Sequence, residues 1–304
     1  QATHDGIFSV QWTNHDAQTG RLAVTRAGST ALRDSTWESG TLRIDLDVTV
    51  GQWLDIQLPG SAADHGDLTL ANVLTHSGSS LSLHGTSASD QIGVDLSNGL
   101  KVRFGDIEYA YPARAIGQLN IDASVGNDEL TVVGSAQSDK VDLRPTNSTI
   151  ENSQIHIAIA AVEQISFSGG GGPDRIYLYD SDGDDTLTAR PHSAELVGAG
   201  YRFAVEQVDR IYIHATGNGQ DYAYLYDSSG DDRLSVRPQF SSMSGDGYFN
   251  YVSGFERVYA YANAGGNNVA DLYDSAGNDR FTTSGASASI VGPGFSSFTR
   301  SFEQ

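Results

Sequence analysis

The sequence predicts an all-β protein: a right-handed parallel β-helix (β-solenoid) with about two rungs per 47-residue repeat and a β-rich N-terminal cap. Three observations support this prediction. One acidic turn sequence recurs at nearly constant spacing, which is typical of a stacked array. Apolar and polar residues alternate with period two between the turns, which indicates half-buried strands. No stretch of the chain has the apolar spacing of an amphipathic helix.

The repeat is clearest at its acidic turn. The sequence DSDGDDTL begins at Asp180, returns as DSSGDDRL from Asp227 and again as DSAGNDRF from Asp274. Two more divergent copies begin at Gly85 and Gly134. The last aspartate of each turn is called the closing aspartate below. The closing aspartates are Asp90, Asp139, Asp185, Asp232 and Asp279, with spacings of 49, 46, 47 and 47 residues.

The strands of each repeat are predicted from alternation. In one copy Ile176 and Leu178 alternate with Tyr177 and Tyr179, so the aliphatic pair is expected to point inward. Two coils of roughly 23 residues fit each repeat. The predicted core positions are Leu130, Val132, Val141, Leu143, Ile176, Leu178, Leu187, Leu225, Leu234, Val236, Leu272 and Phe281. An antiparallel sandwich is the alternative, but it gives no reason for one motif to recur at constant spacing.

Residues 1–65 stand outside the repeat and are predicted to form a β-rich cap or assembly segment, followed by a solenoid of five repeats over residues 66–304. Alternation of Leu42, Ile44 and Leu46 indicates a strand in the cap. A solenoid needs such a cap because its open end presents unpaired backbone groups. The junction is expected between Gly60 and Gly66.

Composition limits the partners. The formal net charge is −20, with 16 arginines and two lysines, which argues against nucleic acid and anionic membranes. The chain has no cysteine, so disulfides and thiolate metal sites are excluded. No run of 18 apolar residues is present, so no membrane span is predicted. Abundant Gly, Ser, Thr, Asn and Asp with scarce Lys indicates a secreted protein, extracellular or at the cell surface.

The acidic turns are the candidate metal site. The segment from Gly169 to Tyr177, GGGGPDRIY, fits the nonapeptide G-G-x-G-x-D-x-U-x, and the turns from Asp180, Asp227 and Asp274 fit looser forms. From about residue 77 onward the chain therefore resembles RTX-like and parallel β-helical Gly/Asp repeat proteins secreted by bacteria. That resemblance implies Ca²⁺ at the turns, for which clustered carboxylates are suitable ligands. The candidate ligands are Asp174, Asp180, Asp182, Asp184, Asp185, Asp227, Asp231, Asp232, Asp274 and Asp279. The alternative is that these side chains cap their own turns.

Outward-facing tyrosines form a second candidate site. The rings recur at corresponding strand positions, so neighbouring rungs are expected to stack them into a ladder. Either the ladder stiffens the solenoid, or it binds a surface glycan or another chain through its exposed aromatic surface. The residues are Tyr177, Tyr179, Tyr212, Tyr224, Tyr226, Tyr259 and Tyr261. An acidic residue also recurs, as Glu163, Asp209, Glu256 and Glu303, and is expected to fix the register of the coils.

No catalytic residues are assigned, and an enzyme is the less favoured interpretation. No nucleophile elbow, zinc-protease motif or P-loop is present. The irregular first repeats, around Lys101, Arg103, Asp106 and Tyr109, are the one region where a site is compatible with the pattern. Three function classes follow: a structural or surface-fibre protein, a carbohydrate-binding or adhesive module, and a β-helix polysaccharide lyase.

The two ends predict self-association. Phe302 aligns with Phe255 one repeat earlier, so the last rung is expected to be incomplete and to present an open edge. The alternating segment with Ile7, Phe8, Val10 and Trp12 is predicted to complete that rung in the next molecule by strand addition. Such a contact joins unlike ends and would produce a head-to-tail homopolymer. A fragment of a longer array is the alternative.

Overall fold

The computed structural model describes residues 6–14, 22–26, 33–34, 36–38, 41–49, 51–58 and 66–304, and these residues contain strands and turns but no helix. None of them therefore forms a helix that could span a membrane. The N-terminal strands are β1 (Gly6–Asn14), β2 (Ala23–Arg26), β3 (Arg33–Asp34), β4 (Thr36–Glu38), β5 (Thr41–Val48), β6 (Leu54–Gln57) and β7 (Gly66–Asn72).

The solenoid follows. Its first strands are β8 (Leu74–Ser77), β9 (Ser80–His84), β10 (Gln91–Asp95), β11 (Leu100–Phe104), β12 (Ile107–Tyr111), β13 (Gln118–Asp122), β14 (Glu129–Val133), β15 (Lys140–Leu143), β16 (Asn147–Glu151), β17 (His156–Ala160) and β18 (Gln164–Ser168). The remaining strands are β19 (Arg175–Tyr179), β20 (Thr186–Arg190), β21 (Ser193–Gly198), β22 (Tyr201–Glu206), β23 (Arg210–His214), β24 (Tyr222–Tyr226), β25 (Arg233–Val236), β26 (Phe240–Gly245), β27 (Tyr248–Ser253), β28 (Arg257–Tyr261), β29 (Val269–Leu272), β30 (Arg280–Ser284), β31 (Ser287–Gly292) and β32 (Phe295–Arg300).

Two long sheets enclose one apolar core, and together they form a β-solenoid of about 6 turns, which confirms the predicted fold class. Sheet I has 13 strands in the order β12-β11-β10-β14-β18-β22-β21-β20-β24-β28-β32-β31-β30. Sheet II has 12 strands in the order β29-β25-β26-β27-β23-β19-β15-β16-β17-β13-β9-β8. Side chains alternate along each strand, and the apolar ones point into the space between the two sheets.

Successive repeats begin in opposite sheets. After the closing aspartate Asp185, strands β20, β21 and β22 form an antiparallel meander in sheet I, β23 lies in sheet II and β24 returns to sheet I. After Asp232, the meander of β25, β26 and β27 lies in sheet II. The chain thus crosses between the sheets three times per repeat, and an odd number of crossings places equivalent residues of consecutive repeats on opposite sheets.

The length of a coil differs from the prediction. Parallel partners are 35 residues apart between β19 and β23, where Arg175 pairs with Arg210, and 39 apart between β28 and β32, where Arg257 pairs with Ser296. The prediction of coils of roughly 23 residues is therefore wrong. The difference arises because part of each repeat is spent on an antiparallel hairpin that stays within one sheet.

The predicted core is confirmed except in the last turn. Ten of the twelve predicted residues are fully buried, whereas Leu272 is partly buried and Phe281 is 59% exposed. Strands β29 and β30, which carry these two residues, are the edge strands of sheets II and I. The prediction fails there because, in the part of the chain that the structure describes, no further coil covers them.

The cap consists of two small sheets. Strand β1 lies between β5 and β7 in one of them, and β2, β3 and β6 form the other. Its apolar cluster is distinct from the solenoid core and comprises Val10, Trp12, Leu22, Val24, Leu42, Ile44, Leu46 and Val48. Residues 66–72, predicted to begin the solenoid, pair as β7 with the cap strand β1. Apart from Gly66, the predicted junction lies outside the described residues.

Candidate functional site: the acidic turns and the tyrosine rows

Each closing aspartate ties together its own turn. Its carboxylate accepts the backbone N–H and the side-chain hydroxyl of the Ser or Thr four residues earlier, as at Asp185, where the N–H of Ser181 donates at 3.2 Å. The same bonds form at Asp90 with Thr86, and at Asp139, Asp232 and Asp279 with a serine. The recurrence of this pair explains why Ser or Thr and Asp hold fixed positions in the repeat.

A further hydrogen bond reaches the closing aspartate from outside its turn, and its donor differs between repeats. Tyr201 donates its hydroxyl to Asp185 at 2.8 Å, and Tyr248 donates to Asp232 at 2.7 Å. The other donors are Asn152 to Asp139 and the cap residue Arg43 to Asp90. In the last repeat Phe295 occupies the tyrosine position and has no hydroxyl to donate.

A hydrogen-bonded relay joins successive turns through these acids. The N–H of Asp185 donates to Asp221 at 2.8 Å, and the N–H of Asp221 donates to Glu256 at 2.8 Å. The same relay runs from Asp90 through Asp128 to Glu163, and from Asp232 through Asn268 to Glu303; in the remaining repeat Asp139 donates to Asp174. The acids therefore align each turn with the next, as predicted for Glu163, Glu256 and Glu303. The closing aspartates thus cap their own turns.

The middle residue of the relay is a buried acid in a site that disfavours its charge. Burial is the largest cause that raises the pKa of Asp128, Asp174 and Asp221 to about 6, with neighbouring carboxylates adding to it. The Oδ2 atoms of Asp128 and Asp174 are buried without a hydrogen-bond partner. In the fourth repeat this position is Asn268, whose Nδ2 donates to the carbonyl of Gly265 at 2.8 Å. Three repeats therefore carry an aspartate at the position where the side-chain amide of Asn268 both accepts and donates a hydrogen bond.

Three carboxylates converge at one point in the third acidic turn. One oxygen each of Asp180, Asp185 and Asp221 lies within 4.8 Å of the others, and all three residues are buried. Oxygens bound to one Ca²⁺ at 2.3–2.6 Å can be that far apart, so the spacing fits the ion. Burial raises the pKa of Asp185, and Asp180 adds to that rise. Asp180 already accepts the N–H groups of Thr216 and Gly217.

The other predicted metal ligands are not brought together in this way. Asp182, Asp184, Asp227 and Asp231 each accept backbone N–H groups from a neighbouring coil. Asp174 belongs to the relay, Asp232 and Asp279 close their own turns, and Asp274 is exposed. Asp221 was not among the candidate ligands predicted from the sequence. It lies 36 residues after Asp185, a distance that becomes informative only when the coil length is known.

The predicted tyrosine ladder is two ladders, one on each sheet. On sheet II the rings of Tyr177 and Tyr212 stack at 5.2 Å, and Tyr179 stacks on His214 at 5.2 Å. On sheet I, Tyr224 stacks on Tyr259 at 5.2 Å and Tyr226 on Tyr261 at 5.5 Å. Tyr177 and Tyr224 occupy corresponding positions of the repeat, as predicted, but they lie in different rows, because residues one repeat apart lie on opposite sheets.

Arginine side chains form cation–π contacts with tyrosine rings of the following coil. The guanidinium of Arg144 lies 3.5 Å from the centre of the Tyr179 ring, and Arg237 lies 3.7 Å from that of Tyr273. Arg190 takes the same position over Tyr226 at 4.1 Å. Each arginine precedes a proline and meets a ring 35 or 36 residues later. These contacts favour the stiffening role of the tyrosines, since cation–π pairs contribute about 0.5–2 kcal/mol each.

The predicted assembly residues are engaged within their own chain. Strand β1 is paired on both edges, with β5 and with β7. Ile7 is buried in the solenoid core, while Val10 and Trp12 are buried in the cap, with Phe8 packed against them. Phe302 packs against the solenoid core. In this structure β1 therefore offers no free edge to a second molecule.

The region where a catalytic site was considered shows separate contacts. Lys101 pairs with Asp95 at 3.3 Å, Arg103 donates to the carbonyl of Gly105, and Tyr109 donates to Asp47 in the cap.

Comparison of the sequence with protein families and with curated proteins identifies no relative. No protein-family model matches the chain, and no curated protein shows significant similarity to its sequence. The resemblance to RTX-like proteins is thus supported only at the level of the β-solenoid fold.

Proposed function

We propose that this chain is a structural or adhesive module, a β-solenoid that acts outside the cell or at its surface. The observation that supports this is that the recurring polar and aromatic side chains contact one another between successive coils. The acids form relays from turn to turn, and the tyrosines stack from coil to coil with arginines over them. Side chains that hold successive coils in register suit an extended, rigid body.

The test compares binding with turnover. Purified protein is applied to an array of neutral and acidic glycans, and the same glycans are incubated with it and assayed for new reducing ends and for unsaturated uronides. Retention of glycans without cleavage, or assembly into larger particles by sedimentation velocity, supports the proposal. Cleavage of a glycan at a steady rate would instead establish an enzyme.

Self-association is the second part of the proposal, and strand β30 is the surface that supports it. All five residues of β30 are exposed, and Phe281 is 59% exposed where its equivalents Leu187 and Leu234 are fully buried. In the earlier repeats a parallel strand, β24 or β29, covers this position. A second copy packed end-on against β30 would cover Phe281 in the same way.

Sedimentation velocity over a range of concentrations tests this contact. We expect association of the intact protein, loss of association in Phe281→Asp, and no change in Val197→Asp, a control on the outer face of the same sheet that is 39% exposed. An intact protein that remains monomeric at high concentration contradicts the contact.

Calcium binding is the third part. We place Ca²⁺ at Asp180, Asp185 and Asp221, since these carboxylates are close together and the ion would neutralise them. An ion that binds only the folded state raises the thermal midpoint in proportion to the logarithm of its concentration. We expect a rise in millimolar Ca²⁺ that is lost in Asp221→Asn and kept in Asp174→Asn, whose turn has Gly134 in place of Asp180. An equal response in both variants, or none in the intact protein, rules the site out.

A further inference from the structure

Two arginine side chains lie next to each other on sheet II without a partner. Arg175 and Arg210 are register partners in the parallel strands β19 and β23, and both are exposed. Within the described part of the chain neither forms an ion pair, a side-chain hydrogen bond or a contact with a ring. Neighbouring strands are about 4.8 Å apart, and like charges placed opposite each other at that spacing are unfavourable.

Several other arginines of the solenoid are engaged. Arg202 pairs with Glu195 at 2.6 Å, and Arg233 pairs with Asp271. Arg144, Arg190 and Arg237 lie over tyrosine rings. The two adjacent guanidinium groups thus lack a compensating side chain, although the net charge of the chain is −20.

In the next repeat the residues at these two positions contact each other. Residues 47 positions later are Tyr222 and Arg257, again register partners, and the guanidinium of Arg257 lies 5.2 Å from the centre of the Tyr222 ring. One repeat earlier the two positions are Glu129 and Gln164. The arginine pair is thus specific to one coil and is not required by the repeat.

The pair borders a polar cavity of about 750 Å³. Its lining includes the aromatic side chains of Tyr212 and Phe249, whose ring centres are 5.9 Å apart. Asp209 also lines the cavity, with its carboxylate 3.6 Å from Nδ1 of His192. The buried acid Asp174 lines it as well, so two guanidinium groups, aromatic rings and two carboxylates meet at a single concave surface, as in ligand sites of proteins.

We propose that this cavity binds an acidic saccharide. Guanidinium forks bind carboxylate or sulfate oxygens through paired hydrogen bonds, the rings of Tyr212 and Phe249 accept the apolar face of a sugar, and Asp209 accepts its hydroxyl groups. This inference rests on the adhesive part of the proposed function. The negative charge of the whole chain does not prevent it, because charges more than about 8 Å away are screened at physiological ionic strength.

Isothermal titration with defined ligands tests the site. The probes are hexagalacturonate, its fully methyl-esterified neutral form, and a sulfated oligosaccharide of the same length. We expect the intact protein to bind an acidic probe at least tenfold more tightly than the neutral ester. Binding of the carboxylated probe alone identifies a uronate site, and binding of the sulfated probe alone identifies a sulfate site. Both outcomes support the proposal.

Three variants locate the binding. Arg210→Gln removes one fork, and Arg175→Tyr introduces the residue that the next repeat carries, so the fold is expected to tolerate it. Arg257→Gln is the control on sheet I. We expect at least tenfold weaker binding for the first two and no change for the control.

Other outcomes overturn the inference. Equal binding of the acidic and neutral probes would leave an adhesive module without this site. Equal losses in the control variant would place the binding elsewhere. No binding of any glycan would contradict both this inference and the adhesive function. A change of oligomeric state in Arg175→Tyr, without glycan binding, would make the pair a contact between copies.

Discussion

The turns that end at Asp174 and Asn268 occupy the same position in two repeats and differ by one group. Each accepts the N–H of a closing aspartate, at 2.9 Å for Asp174 and 2.8 Å for Asn268. The second atom of Asn268 is an N–H donor that reaches the carbonyl of Gly265, whereas Oδ2 of Asp174 is buried without a partner. The comparison shows that this position suits a neutral group that both accepts and donates. An ionised aspartate can do only half of that.

The largest effect is expected at a buried closing aspartate. Asp185→Ala leaves the buried donors of Tyr201, Ser181 and their neighbours without an acceptor, and each such donor costs about 1–3 kcal/mol. We expect a loss of about 3 kcal/mol or more in the free energy of unfolding, measured by chemical denaturation. The matched variant Asp279→Ala removes only the bonds to Ser275 in the partly exposed last turn, so we expect about 1 kcal/mol. Equal losses would show that the bond from Tyr201 and the burial of Asp185 add nothing to the local turn.

The next effect is a pH dependence. Folding raises the pKa of Asp128 and Asp174 to about 6, above the value of about 3.9 in an unfolded chain. The folded state then holds more protons in this interval, so the stabilisation is complete below about 3.9 and is lost as the pH rises through about 6. We expect each of the two groups to lower the stability by about 2 kcal/mol between pH 4 and pH 7.5, or about 4–5 kcal/mol in total.

Other carboxylates titrate in the same range, so the measurement is a difference. The intact protein is compared with the double variant Asp128→Asn/Asp174→Asn at pH 4.5, 6 and 7.5 in the presence of a chelator. The variant is expected to be the more stable at pH 7.5, and the gap should close towards pH 4.5. A gap that does not change with pH would mean that both acids stay ionised throughout.

Exchange of the two residue types tests the comparison directly. Asp174→Asn supplies a donor to the carbonyl three residues earlier, as Asn268 does, so we expect a gain of about 1–2 kcal/mol at pH 7.5. Asn268→Asp removes that donor and should lose a similar amount. Thermal midpoints of both variants provide the measurement. If Asp174→Asn is destabilising, the geometry at Asn268 does not transfer to the earlier repeat.

The sequence predicts the repeat, the alternation and most of the core, because these depend on local spacing. Leu187 and Leu234 are buried as their pattern requires. The sequence does not predict that Tyr177 and Tyr224 lie on different sheets. Side chains alternate with period two both in the strands of an antiparallel hairpin and in the parallel strands of successive coils, so the alternation does not distinguish them. Asp221 was missed for the same reason: its neighbours Asp180 and Asp185 come from the preceding coil, and the length of that coil follows from strand pairing.

The smallest effect is expected at the tyrosine that reaches the closing aspartate. Burial and the carboxylate of Asp185 raise the pKa of Tyr201, so its hydroxyl remains a donor at ordinary pH. Tyr201→Phe removes one hydrogen bond of 2.8 Å and keeps the buried ring, which should cost about 1 kcal/mol. Phe295 shows that the repeat accepts this residue, and the reverse change Phe295→Tyr should add less, because Asp279 is partly exposed. Chemical denaturation of the two variants measures both values. If Tyr201→Phe costs as much as Asp185→Ala, the tyrosine hydroxyl, and not the N–H and hydroxyl of Ser181, is the main partner of the carboxylate.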